Sequence, residues 1–175
     1  MPSTTGVILR APAADDLDVL YALASELDTW EERGPQPPRA ITREEFAARF
    51  DKVLTEPSQD ALFVIEAEGA AVGRCALFDI DHLARTAEVG IAIHARARGR
   101  GYGTEALRAL VAFAFERCNL RRAHLRVIAS NVAAIASYRK VGFVEEGRLR
   151  ESAWVRGSYE DELVMGLLRS EWLRL

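Results

Sequence analysis

The sequence predicts one α/β or α+β domain, in which a β-sheet carries helices on its faces. Runs of β-type residues alternate with runs of helical periodicity along the chain. With 175 residues, of which 49% are apolar, the chain is long enough to bury one core of ordinary size. The sequence contains no internal repeat or low-complexity tract. We therefore expect residues 1–175 to form a single domain.

The predicted elements follow from the spacing of apolar residues and from the residues that begin and end helices. In chain order they are strand 7–11, helix 14–27, helix 42–54, strands 61–66 and 71–80, strand 89–93, helix 103–118, strand 123–129, helix 131–140 and strands 143–150 and 160–168. Thr42 begins the second helix, because its hydroxyl and the Glu45 side chain can form a capping box. Gly142 suits the C-terminal cap of a later helix, since glycine adopts positive φ without strain. Residues 28–40 hold three prolines and a glycine, and we interpret them as an ordered loop.

The net charge and the positions of the two cysteines argue against several classes of protein. The charges are mixed in sign and sum to −3, which argues against a nucleic-acid binder or a polybasic membrane anchor and is compatible with a cationic substrate. Cys75 and Cys118 lie far apart without CxxC spacing, so we expect no disulfide, no metal site and a reduced, cytoplasmic setting. His82, His94 and His124 show neither triad nor ligand spacing. We expect neither a secretory signal nor a membrane-spanning segment, because residues 1–6 show no basic or apolar region and no apolar run reaches about 18 residues.

The segment Arg98–Gly103 is a candidate phosphate-binding turn. Its three glycines lie between a buried strand and a long helix, where backbone N–H groups can approach an anion closely, and two arginines add positive charge. A P-loop is excluded, because Thr104 and Glu105 follow the last glycine where a Lys and a Ser or Thr are required. The spacing of a dinucleotide-binding motif is met from Gly101, but seven residues, His94–Arg100, separate this glycine from the strand and no acidic residue follows at the ribose position. A purely structural turn remains the alternative.

Three ordered motifs together resemble the GNAT superfamily of N-acetyltransferases. They are Glu88–Ile93, then Arg98 with Gly101, Gly103 and Thr104–Leu107, then Asn131 with Ala134, Tyr138 and Val141–Phe143. The resemblance extends from Ala87 to about Trp172. Arg148 and the run Tyr159–Asp161 resemble the branch that contains ribosomal-protein N-terminal and spermidine acetyltransferases. The first half of the chain matches only in the order of its elements.

The resemblance implies a fold and a cofactor. The fold would be a mixed, mostly antiparallel, splayed sheet of about seven strands with about four helices, in which the strands at 87–94 and 123–129 part to admit acetyl-coenzyme A. Backbone groups would hold the pantetheine amides at Ile91, Ala92 and Ile93 and the pyrophosphate at Arg98, Gly99, Arg100, Gly101, Tyr102, Gly103 and Thr104. Asn131 would bind the pantetheine arm. An extended arm that carries amides can add to an exposed strand edge as a peptide does.

The implied activity is direct acetyl transfer to a primary amine, which could belong to a protein N-terminus, a polyamine or another small amine. The alternatives are a non-catalytic acyl-coenzyme A sensor and a transferase that uses a different acyl donor. The resemblance allows for a homodimer, and we expect neither a nucleic acid nor a membrane as partner.

The chemistry requires a base and an acid. An alkyl amine with a pKa near 10.4 is rarely neutral at pH 7, at a cost of about 4–5 kcal/mol, so a group must accept its proton. Glu88 is the first candidate, because it begins an apolar strand where desolvation would raise its pKa; the alternative is an ion pair with Arg74 or another basic side chain. Tyr138 is the acid by resemblance, and otherwise a core aromatic. The backbone beside Ile91 would supply an oxyanion donor.

Candidate acceptor-binding residues fall in two segments. Trp30, Glu31 and Glu32 belong to the proline-bearing loop, which in this family borders the acceptor pocket, and carboxylates beside an aromatic wall suit a cationic amine. Trp154 and Tyr159 lie in the connection between the last two strands. Each of the five residues could instead be a packed or exposed residue without a role in binding.

Overall fold

The computed structural model describes residues 6–26 and 40–174, in which seven strands form one open sheet and five α-helices flank it. In chain order the elements are β1 (Ile8–Arg10), α1 (Leu17–Ser25), α2 (Arg43–Thr55), β2 (Ala61–Ala67), β3 (Ala70–Asp81), β4 (Thr86–Ile93), α3 (Tyr102–Ala112), β5 (Arg122–Ile128), α4 (Val132–Val141), β6 (Val144–Val155), β7 (Ser158–Leu168) and α5 (Arg169–Trp172). The strand order is β1-β2-β3-β4-β5-β7-β6, and in it only β4 and β5 run parallel. The mixed, mostly antiparallel sheet expected from the sequence is confirmed.

The two faces of the sheet are covered by different helices. The main core packs α3 and α4 against one face, through buried residues such as Leu77, Leu107, Leu110, Leu125 and Met165. On the other face, Leu20 of α1 and Phe50 of α2 cover Val64 of β2. Because side chains alternate along a strand, each strand contributes to both faces. We call these the α3 face and the α1 face.

The side chain of Arg10 joins β1 to β2 and to the residues that precede α1. Arg10 of β1 donates hydrogen bonds to both oxygens of Asp16, at 2.7 and 2.8 Å, and to Glu66 of β2 at 2.6 Å. Asp16 is buried at 4% exposure and also accepts from the backbone N–H of Ala13. The bonds from Arg10 and Ala13 hold the pKa of the Asp16 carboxyl below its usual value, against the desolvation that would raise it. This arrangement fixes β1 and the start of α1 to β2.

Capping residues act largely as predicted. The Thr42 hydroxyl accepts a hydrogen bond from the Glu45 N–H at 3.1 Å, so this half of the predicted capping box is present. The Glu45 carboxylate accepts a bond from Arg49. Gly142 ends α4 with φ +106°. The long helix predicted over 103–118 continues beyond α3 as a π-helical turn over Phe113–Arg117.

The final hairpin is longer than the sequence predicted. The strand predicted over 143–150 extends to Val155, and the strand predicted over 160–168 begins earlier, at Ser158. The two strands meet at a two-residue turn of Arg156 and Gly157, both with positive φ. A bulge follows Leu149 and disrupts the two-residue periodicity of β6. The end of β6 could not be predicted from the sequence, because the alternation is lost after the bulge and the turn is Arg-Gly in place of the commoner Asn-Gly.

Two further observations complete the fold. Residues 27–39 lie outside the described part of the chain, so the expected ordered loop and its Trp30, Glu31 and Glu32 stay predictions. Across 6–26 and 40–174, no helix is long and apolar enough to cross a membrane, and no cluster of three or more His, Cys, Asp or Glu side chains could hold a metal ion.

Candidate active site

The parallel strands β4 and β5 separate and leave a cleft between them. They pair only at Thr86–Arg122, Ala87–Ala123 and Glu88–His124, although β4 continues to Ile93 and β5 to Ile128. The cleft has a volume of about 870 Å³ and a lining of mixed polar and apolar residues. This volume lies in the upper part of the range usual for small-molecule sites, about 300–1,000 Å³.

The cleft brings together most of the residues that the sequence singled out. The predicted site residues that line it are Glu88, Ile91, Ala92, Ile93, Arg98, Gly99, Gly101, Tyr102, Gly103, Thr104, Asn131 and Tyr138. Arg100, Trp154 and Tyr159 are not among the lining residues. Trp154 and Tyr159 instead form an exposed aromatic pair next to the β6–β7 turn, with ring centroids 4.8 Å apart. The structure therefore does not bring this pair to the cleft.

The glycine-rich turn has the backbone that close approach to an anion requires. Gly99 and Gly101 have φ of +75° and +84°, values that L-residues rarely adopt, and a Cβ added to either would stand in open space. The Arg98 side chain fixes the turn by donating from Nε to the Ile93 carbonyl at 3.1 Å. Helix α3 begins directly after Gly101, and the first N–H groups of a helix lack partners within it. The turn can therefore present several donors to a diphosphate.

Glu68, which the sequence did not single out, holds the turn from the β2–β3 hairpin. Its carboxylate accepts a hydrogen bond of 2.7 Å from the Tyr102 hydroxyl and another of 2.7 Å from Arg100. The Arg100 guanidinium also lies 4.9 Å from the centre of the Tyr102 ring. These bonds lower the pKa of Glu68 and raise that of Tyr102. The Arg100 side chain is thus bound to Glu68, whereas its backbone remains part of the turn.

Asn131 and Tyr138 are positioned by helix α4. Asn131 is the N-cap, and its side-chain oxygen accepts from the Ala134 N–H at 3.1 Å, so its amide NH₂ stays available as a donor. Tyr138 lies almost two turns further, at 7% exposure, with its ring edge-on to Phe143. Burial raises the pKa of Tyr138 to about 12, so the phenol is protonated at neutral pH. Among the described residues, none forms a hydrogen bond with its hydroxyl.

Glu88 lies on the α1 face of β4, opposite Phe78 of β3 and His124 of β5. Its side chain is 17% exposed, and its Oε1 lies 4.0 Å from Nε of Arg126, which is the ion pair that the sequence left open. Arg74, the other partner considered there, lies opposite Ala92, four residues further along β4. Within the described chain, the buried Nδ1 of His124 has no hydrogen-bond partner.

Two further residues of the cleft have environments that limit their chemistry. Cys75 is buried, and desolvation raises its pKa to about 12, which disfavours the thiolate that a nucleophile needs. Glu162 of β7 is 2% exposed and accepts a 2.6 Å hydrogen bond from the hydroxyl of Ser152, in the bulge of β6. Sequence periodicity placed Glu162 in a strand but could not show that the splayed sheet turns it toward a cleft.

Comparison with known proteins assigns the family. Residues 7–144 match the model of the GNAT acetyltransferase domain, which is most of the chain. The chain is a GNAT acetyltransferase. The acetyltransferase is 32% identical over 176 residues to the spermidine N(1)-acetyltransferase of Escherichia coli K12, covering 99% of this chain and 91% of that protein. It is 25% identical to a ribosomal-protein-serine acetyltransferase of the same strain, covering 87% of each chain.

Solved structures support the same assignment. The acetyltransferase superposes on the spermidine N-acetyltransferase of Vibrio cholerae, solved in complex with CoA and spermine, with a TM-score of 0.85. The two sequences are 27% identical, and the match covers 96% of this chain and 98% of the other. The acetyl donor is acetyl-coenzyme A, and the acceptor is an amine.

Coenzyme A fits the residues present. Gly99 and Gly101 leave open the space that a Cβ would fill, next to the N–H groups at the start of α3. Beyond Glu88, the edge of β4 that faces β5 has no partner strand among the described residues, so the backbone groups on this edge can pair with an amide-bearing arm.

Proposed function

We propose that this acetyltransferase moves the acetyl group of acetyl-coenzyme A directly to a primary amine, with Glu88 as the base and Tyr138 as the acid. One observation carries this proposal: a single cleft passes between β4 and β5 and holds Glu88 on the α1 face and Tyr138 on the α3 face. The acceptor and the leaving thiol can then occupy opposite sides of the thioester.

Glu88 acts on the incoming amine. A neutral amine is rare at pH 7, and removing its proton costs about 4–5 kcal/mol in free solution. The Glu88 carboxylate is half-buried, and Arg126 lies 4.0 Å from it, which is too far for a hydrogen bond. Its lone pairs therefore stay available to accept that proton, directly or through a water.

Tyr138 acts on the thiol side. When bound, acetyl-coenzyme A supplies an activated acyl group whose sulfur leaves as a thiolate. The Tyr138 phenol is protonated throughout the neutral range, because burial raises its pKa to about 12. A thiolate in the same desolvated place is also destabilised, which favours proton transfer to it. An N–H of β4 near Ile91 would stabilise the developing oxyanion.

Direct transfer is favoured over an acyl-enzyme. Cys75 is the cysteine that lines the described cleft, and its raised pKa leaves very little thiolate at pH 7. The test is intact-protein mass spectrometry after mixing with acetyl-coenzyme A alone. We expect unmodified protein, and an acetylated Cys75 would refute the direct route.

Spermidine and a protein N-terminus are both candidate acceptors, since one similar protein is named for spermidine and another for a ribosomal protein. Both present a primary amine to the thioester. Glu31, Glu32 and Trp30 stay predicted acceptor contacts outside the described residues. A homodimer and a cytoplasmic setting also stay predictions, of which light scattering tests the first.

The catalytic roles are tested by Tyr138→Phe and Glu88→Gln, with release of the coenzyme A thiol as readout. Loss of a general acid or base lowers kcat by about 100- to 10,000-fold, while the affinity for coenzyme A should be retained. Tyr159→Phe and Glu145→Gln are matched controls, because Tyr159 is exposed and Glu145 has a similarly loose ion pair outside the cleft. Wild-type turnover by Tyr138→Phe with cofactor bound would remove the assigned acid role.

A further inference from the structure

Four charged side chains line the cleft on the α1 face, where the proposed base Glu88 lies. They are Arg74 of β3, Glu88 of β4, Arg126 of β5 and Glu162 of β7. Cross-strand register places all four on one side of the sheet, the side on which Val64 lies directly opposite Arg74. These four side chains, which we call the wall, therefore carry two positive and two negative charges. The lining has two other basic residues: Arg98 begins the glycine-rich turn, and Lys140 lies on α4.

Arg126 is available to a ligand. Its only ion pair within the described chain is with Glu88, at 4.0 Å between Nε and Oε1, which is longer than a hydrogen bond. Its side chain is 48% exposed, whereas that of Glu88 is 17% exposed. A guanidinium has five N–H donors in a planar fork that matches a carboxylate. The fork therefore stands beside the proposed base with its donors unused by the described protein.

Arg74 adds a second positive charge. No described residue forms an ion pair or a side-chain hydrogen bond with its guanidinium, and Arg74 is exposed to solvent within the cleft. The neighbouring atoms of the cleft desolvate the guanidinium in part, which lowers its pKa. A guanidinium in the cleft without a carboxylate partner in the described chain can bind an anionic group of a ligand.

A polyamine matches this wall poorly. It would place several positive charges beside Arg74, which has no side-chain partner in the described chain, and Arg126, whose ion pair with Glu88 is 4.0 Å long, and like charges repel. Glu162 is almost fully buried and accepts a bond from Ser152, so its carboxylate is less accessible to a cationic ligand than the two guanidinium groups are. An acceptor that carries both an amine and a carboxylate matches both signs of charge.

We propose that the acceptor is a small α-amino acid, whose carboxylate binds the Arg126 fork while its amine meets Glu88. The amine and carboxylate of such a molecule are attached to the same carbon, so their separation suits two protein groups that are 4.0 Å apart. Arg74 strengthens the positive potential on the carboxylate side. This inference rests on the proposed function and narrows its acceptor.

The experiment compares α-amino acids with their C-terminal amides, which keep the amine and lose the negative charge, and with spermidine and a short peptide. We expect kcat/KM for the amino acids to exceed that for their amides by about 10-fold or more, since a hydrogen bond to a charged group contributes about that factor. Arg126→Gln should abolish this preference by lowering kcat/KM for the amino acids by about 10-fold more than for the amides, so that the ratio of the two falls to about one. Arg126→Lys should retain part of it. Arg139→Gln is the control, because Arg139 has a loose ion pair outside the cleft.

Calorimetry provides a readout besides activity. With a non-reactive coenzyme A analogue bound, amino acids should bind the wild type and lose at least about 10-fold in affinity on Arg126→Gln. Better turnover of spermidine, peptides or amides than of amino acids, with Arg126→Gln neutral, would overturn the inference and leave the proposed function standing. Failure to acetylate any amine, with cofactor bound, would instead overturn the proposed function.

Discussion

Replacing Gly101 by alanine tests the diphosphate cradle. At φ +84° an alanine costs about 1–2 kcal/mol of backbone strain, which should lower the melting temperature by about 2–4 °C for each kcal/mol. The added Cβ meets no protein atom within 4 Å, so it stands in the space next to the start of α3. There it should remove at least one hydrogen bond to a charged oxygen, worth about 1.5–3 kcal/mol. We therefore expect the Kd for coenzyme A to rise by about 10-fold or more.

The assay is isothermal titration with coenzyme A and, separately, with pantetheine, which lacks the diphosphate. Pantetheine affinity should be unchanged. Gly157→Ala is the matched control, because Gly157 has φ +87° and open space around it but lies in the β6–β7 turn. It should lose the same stability and bind coenzyme A normally. Equal affinities for coenzyme A in both variants would refute the role of the turn.

Three further results are expected. Glu68→Gln should weaken coenzyme A binding several-fold with kcat unchanged, because it loosens Tyr102 in the turn; titration and steady-state kinetics separate the two. Ultraviolet titration of wild type against Tyr138→Phe should show one tyrosine ionising near pH 12 instead of 10, and ionisation with the others would contradict its burial. Asp16→Asn should lower the free energy of unfolding by about 2 kcal/mol at pH 7, since it removes the negative charge that pairs with Arg10 while the bond from Arg10 to Glu66 remains. The Asp16 pKa is depressed, so this contribution is complete above about pH 4 and is lost as the pH falls further, where denaturant melts of the two proteins should converge.

Local signals made much of the fold predictable. The glycines of the turn, Thr42 at an N-cap and Gly142 at a C-cap act within a few residues, so the sequence reports them directly. The ordered motifs around Glu88 and Tyr138 predicted the splayed sheet by resemblance, and both residues line its cleft.

Long-range partners could not be predicted in the same way. Glu68 and Arg100 are 32 residues apart, and Arg126 reaches Glu88 only because β4 and β5 become neighbours in the sheet. No periodicity links residues on different elements; their contacts follow from register and from where the strands part. For the same reason, the sequence could not show that the extended β6–β7 hairpin holds Trp154 and Tyr159 as an exposed pair. The sequence predicted both residues near the acceptor.

The most direct measurement of the central claim is thiol release from acetyl-coenzyme A by the wild-type protein, with each amine of a panel, and with the product identified by mass. We expect release to depend on an amine and to equal the amount of N-acetylated product. Bound cofactor without amine-dependent release across amino acids, their amides, spermidine and peptides would contradict direct transfer to a primary amine.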